Sequence, residues 1–136
     1  MAFRRVVLGY DGSDAARRAL DRLTQLVDDG AEVTIVTAVK RTVTSLGPML
    51  PDPADVEEQR RKLDEAWEAL RARGIHARAV EPAGDAAERI VDEAERVDAD
   101  LIVVGRNEKS LPRRLFAGSV SEKVLRAAHR DVLVVQ

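Results

Sequence analysis

Five short apolar runs, separated by stretches with helical spacing, constrain this chain more than any other feature. They occupy residues 3–10 (FRRVVLGY), 31–40 (AEVTIVTAVK), 75–82 (IHARAVEP), 100–105 (DLIVVG) and 131–136 (DVLVVQ). Between the first two, Ala16, Ala19, Leu20, Leu23 and Val27 recur at helical spacing and define one apolar face. Val56, Leu63, Trp67 and Leu70 do the same in a second, highly charged segment. Strands alternating with helices mean parallel strands joined by right-handed crossovers, hence a three-layer α/β sandwich around a five-stranded parallel sheet. The DLIVVG run is almost continuously apolar, as a central strand covered on both faces must be. No internal repeat or linker divides the chain, so residues 1–136 read as one domain, a size that buries a sizeable core.

Punctuation supports this division. Ser13 in DGSD is a helix N-cap candidate. Asp52 followed by Pro53 reads as an N-cap with proline at the first helical position. Asp85 and Glu88 have capping-box spacing. Gly30 and Gly74 read as helix stops, and residues 41–53, with three prolines and a glycine, as a long loop. A fourth helix is expected to begin near Ser119.

Composition excludes several functions. The net charge of −2 argues against non-specific nucleic-acid binding, and four scattered aromatics, Phe3, Tyr10, Trp67 and Phe116, make no stacking platform. The absence of cysteine removes disulfides, thiol catalysis and zinc-thiolate sites. No apolar stretch is long enough to span a bilayer and no secretory leader is visible, so a cytoplasmic protein without membrane partners is expected. His76 and His129 have no metal-ligand partner at useful spacing. Neither a Walker loop, a G-x-S-x-G elbow nor an H-E-x-x-H motif occurs. The paired acids Asp28-Asp29, Glu57-Glu58 and Asp64-Glu65 read as solvated helix faces. A binding protein, not an enzyme, is the expectation.

In open parallel sheets, ligands bind beyond the carboxyl ends of the strands, where the strand order reverses. The loops after Tyr10, Val39 and Val104 are therefore the candidates, with Asp11 and Gly105 at two of them. Three fragments at or beside these ends, VVLGYDGSDAARRAL, GDAAERIVDEAERVDADLIVVG and GSVSEKVLRAAHRDVLVV, resemble the universal stress protein family in order and spacing over nearly the whole chain. Residues 41–73 fit only in general character. The resemblance implies a Rossmann-like fold of the adenine nucleotide alpha hydrolase type, with strand order 3-2-1-4-5, frequent homodimers and a link to the stress response. It also implies ATP as ligand in those members that carry, after strand four, Gly, two residues, Gly, nine residues, then Gly with Ser or Thr.

By that resemblance the adenine-nucleotide residues would be Asp11 at the nucleoside, Ala38 at the adenine, and Gly105, Gly118 and Ser119 in the glycine pattern; Arg106 and Ser121 are further binding candidates, and Val104 and Val120 could sandwich the base. The middle glycine is Glu108 here. Glycine permits a positive φ and close approach of an anion; glutamate does neither readily. Its charge repels a phosphate by roughly 3 kcal/mol at ~5 Å and an effective dielectric of ~20. Against it stand Arg106, Lys109, Arg113 and Arg114, side chains suited to holding phosphate. Each candidate also has a purely structural role open to it. Asp11 can organise the DGSD turn, Ala38, Val104 and Val120 can fill the core, and Ser119 with Glu122 can form a capping box. Beside a third reading as an enzyme such as a slow ATPase, two leading readings stay open: a nucleotide-binding regulatory domain, or a dimeric interaction protein of the same fold without nucleotide. Both predict a homodimer through strand 131–136, an apolar sheet edge with no charge inside it.

Overall fold

The computed structural model describes residues 3–39, 42–49, 52–106 and 120–136. The elements in chain order are β1 (Phe3–Gly9), α1 (Asp14–Thr24), β2 (Val27–Val36), β3 (Thr42–Thr44), β4 (Gly47–Met49), α2 (Pro53–Arg71), β5 (His76–Val80), α3 (Ala86–Val97), β6 (Leu101–Gly105), α4 (Val120–Ala127) and β7 (Val132–Val135). The main sheet is wholly parallel, in order β5-β2-β1-β6-β7. Numbered by its five strands alone, this is the 3-2-1-4-5 order the resemblance implies.

Alternation along the inner strands sends side chains to two cores. Val6, Leu8, Leu101 and Val103 join Leu20 and Leu23 of α1 and Leu63 and Leu70 of α2 on one face. Val7, Ile102 and Val104 join Ile90 and Ala94 of α3 and Val124 of α4 on the other. The near-continuous apolar character of β6 follows, since Leu101 through Val104 are all buried.

Helix starts follow the capping residues. Ser13 Oγ accepts from Ala16 N at 3.1 Å, Asp52 Oδ1 from Ala54 N at 2.8 Å, and Asp85 Oδ2 from Glu88 N at 3.1 Å. The Asp85 carboxyl lies below its ordinary range, held there first by the Glu88 N–H and then by Lys123 of α4, whose Nζ is 3.5 Å away.

Three boundaries differ from the sequence expectations. Helix α1 ends at Thr24, and Val27 instead opens β2 opposite Phe3. Between the pairs Phe3–Val27 and Arg5–Glu32 the register shifts, and Gly30 takes φ +88° inside this irregularity. It bends a strand rather than stopping a helix. Residues 42–49, expected as loop, form a small antiparallel hairpin. Helix α2 ends at Arg71, three residues before Gly74.

The two sheet edges are treated differently. On β5, the Val80 carbonyl faces inward, accepting from Thr37 N at 3.1 Å. Alternation then turns the Ala77 carbonyl outward, where the Trp67 indole N–H donates to it at 2.9 Å. Trp67 is thus a half-exposed clasp over an edge, not the inner-face residue its spacing suggested. The Arg71 guanidinium covers its ring at 5.1 Å. On β7, Val132 to Val135 are all half-buried, and among the described residues no strand pairs with its outer edge.

Candidate functional site

The carboxyl ends of β1 and β2 are tied together before any ligand is considered. Tyr10 N donates to Val36 O at 3.0 Å, and the buried Thr37 hydroxyl donates to Tyr10 O at 2.8 Å. The chain then turns through DGSD. Asp11 Oδ1 accepts from Ser13 N at 2.9 Å, and Gly12 sits at φ +78°, a conformation that favours glycine. A Cβ on Gly12 would lie 2.3 Å from Lys62 Cδ, so the α2 lysine runs directly over this turn.

Between these strand ends and α2 lies a cleft of about 210 Å³. Its floor is Tyr10, Asp11, Thr37 and Ala38; its wall is Asp55, Glu58, Gln59 and Lys62 of α2. Those four follow helical spacing along one face. Lys62 Nζ stands 3.6 Å from Glu58, so the wall carries its own ion pair, and the cleft as a whole is acidic. The Tyr10 phenol is pushed above its ordinary value of 10.0 by burial, with Arg17 opposing the shift.

Tyr10 is the only tyrosine, so its titration can be read alone. A phenol whose folded value exceeds its unfolded one supports the fold fully below pH about 10 and loses that support as pH rises through the folded value. Absorbance at 295 nm is expected to give a midpoint above 10. A midpoint at or below 10 would contradict the burial described.

The sequence-predicted residues divide into groups. Asp11 and Ala38 share the cleft. Gly105, Arg106, Val120 and Ser121 do not line it. Gly105 has a packing role. A Cβ there would lie 2.4 Å from both Ala15 C and Ala15 O and 2.9 Å from Ala16 N. Only a glycine lets the first turn of α1 rest on the end of β6. Arg106 N donates to Val135 O at 2.8 Å. Val104 is core, Ser121 is buried and Val120 is exposed. Gly118, Ser119 and the substituting Glu108 lie outside the described residues. The cleft thus lies at the ends of β1 and β2, beside two of the three loops expected to border a ligand; the loop after Val104 continues past Arg106 into residues outside the described ones.

The α2 wall and Thr37 went unread in the sequence. The spacing of Asp55, Gln59 and Lys62 was the available signal, but a polar stripe beside an apolar one looks the same whether it meets solvent or a cleft. A wider depression of about 720 Å³ lies at the opposite end of the sheet, lined by Arg4, Arg5, Asp98, Asp100 and Arg130 among others. Its charges serve the fold. Asp100 accepts from Arg4 N at 3.0 Å, and Arg130 Nη1 donates to Asp98 Oδ1 at 2.9 Å. Among the described residues no His, Asp and Glu cluster could hold a metal ion, and no helix is long and apolar enough to cross a membrane.

A doubly covered parallel sheet with a cleft at its carboxyl edge defines a Rossmann-like α/β domain. The profile of the Universal stress protein family matches residues 2–136, and the chain belongs to that family. It is similar to universal stress protein Rv1636 of Mycobacterium tuberculosis, 30% identical and covering 98% of this chain and 97% of that protein. Among solved structures, a universal stress protein in complex with cAMP superposes with TM-score 0.77 and 31% identity, covering 100% of this chain and 98% of the other. A family member from Arabidopsis thaliana with AMP bound has TM-score 0.66 and 18% identity, over 97% and 90% of the two chains. At that identity it supports the fold alone.

Proposed function

We propose that this chain is a regulatory binding domain that takes the nucleoside part of an adenine nucleotide, ATP or a relative of it, into the cleft formed by β1, β2 and α2. The observation that carries this reading is the cleft itself. It opens at the carboxyl edge of the sheet, and Asp11 and Ala38 line it as the resemblance anticipates. The similar protein bound to cAMP adds support. A volume near 210 Å³ is below that of a pocket for a whole drug-sized ligand and suits a base with part of its sugar. With Asp11, Asp55 and Glu58 against Lys62, the cleft repels phosphate. The phosphates would then lie outside the cleft, and the basic residues of the sequence, Arg106, Lys109, Arg113 and Arg114, are the candidates to hold them.

Isothermal titration with ATP, AMP and cAMP tests the reading. Saturable binding of at least one is expected, with no steady release of phosphate or pyrophosphate, since the domain acts by binding and not by turnover. Absence of binding at millimolar nucleotide would remove this reading and leave the dimeric interaction protein, the outcome that Glu108 favours.

The domain pairs with a second copy through β7, whose half-buried Val132–Val135 edge has no strand partner among the described residues. Sedimentation at micromolar concentration is expected to give a dimer, and Val134→Lys a monomer. A monomeric unmodified protein would end this assignment.

A further inference from the structure

Gln59 is the polar side chain of the cleft that the fold does not explain. It is half-buried on α2, lines the cleft, and its Nε2 is shut off from solvent with no hydrogen-bond partner among the described residues. The other polar groups lining the cleft are engaged, except Asp55, which is exposed to solvent. Thr37 Oγ1 donates to Tyr10 O, Asp11 Oδ1 accepts from Ser13 N, the Tyr10 phenol meets Arg17, and Glu58 meets Lys62. A buried amide nitrogen without an acceptor is a standing cost to the folded chain. An aliphatic residue would suit the position better, because Leu63, one turn further along α2, is already in the core.

We propose that Gln59 reads the hydrogen-bonding edge of the base, so that a 6-aminopurine is recognised by its amino group and adjacent ring nitrogen. This rests on the nucleotide reading above. A carboxamide presents a donor beside an acceptor. The edge of adenine presents the complement, an amino donor beside a ring-nitrogen acceptor, and glutamine pairs with it through two bonds. Rotation about the terminal torsion, which is broad for glutamine, turns the amide toward the ligand without moving α2. Asp55 and Glu58 flank Gln59 with acceptors alone, so of these three side chains only Gln59 can donate to the ring nitrogen.

The test compares AMP with purine riboside 5′-monophosphate, which lacks the 6-amino group, by titration calorimetry on the full chain and on Gln59→Leu. The unmodified protein is expected to prefer AMP by about tenfold, the equivalent of one hydrogen bond. Gln59→Leu is expected to bind both ligands equally and to melt at the same or a higher temperature, showing that it folds. Retention of the AMP preference in Gln59→Leu, or its absence in the unmodified protein despite clear binding, overturns the role of Gln59 and leaves the nucleotide reading standing. Failure of the unmodified protein to bind either ligand overturns the role of Gln59, and failure to bind ATP and cAMP as well overturns the nucleotide reading.

Discussion

Gly105→Ala is expected to lower stability by about 2–3 kcal/mol, the cost of forcing a methyl group into a packed contact that cannot yield. For a chain of this size that corresponds to a fall in Tm of roughly 6–12 °C, measurable by thermal or urea unfolding. The cause is specific. The added Cβ would lie 2.4 Å from Ala15 C and O and 2.9 Å from Ala16 N, all backbone atoms in the first turn of a helix. To make room, α1 must lift from β6. Gly9→Ala supplies the contrast. Its Cβ would meet Ile90 Cδ1 at 2.6 Å, the far end of a side chain able to change rotamer, and about 1 kcal/mol is expected. A change below about 0.5 kcal/mol at Gly105, the scale of ordinary surface substitutions, would refute the packing role.

Ala38→Phe is expected to reduce adenine-nucleotide affinity by about fiftyfold or more, equivalent to over ~2 kcal/mol, while leaving the melting temperature within a few degrees. Ala38 is half-buried beyond the end of β2, on the floor of the cleft. A phenyl ring there occupies the space assigned to the base. The two substitutions separate two contributions at the carboxyl end of the sheet: Gly105 governs how α1 packs on β6, and Ala38 governs what the cleft admits. Undiminished nucleotide binding by Ala38→Phe would move the ligand out of this cleft.

Much of the architecture was readable in the sequence because strand and helix periods differ and because short polar residues cap helices. Ser13, Asp52 and Asp85 all mark helix starts as expected. The strand order came from the resemblance, since alternation alone does not choose among parallel topologies. What escaped reading is also physical. Val27 falls at helical spacing from Leu23 yet belongs to β2, because an apolar residue satisfies either pattern and its strand partner, Phe3, is distant in sequence. Gly105 fits a phosphate motif, and its geometry adds a helix resting on a strand, a contact between residues far apart in the chain that the motif does not reveal. Gln59 is one polar residue among many on a charged helix, and only the folded chain distinguishes the stripe facing the cleft from the one facing water.

The clasp of Trp67 over β5 bears on how large an assembly can grow. A sheet open on both sides could add copies without limit, as fibres do. With the Ala77 carbonyl already engaged, strand addition at β5 is disfavoured relative to β7, and the two-fold pairing proposed above through β7 uses that edge of both copies at once. An indole over β5 thus disfavours growth at that edge, so the pairing proposed through β7 is expected to give a finite pair and not a filament.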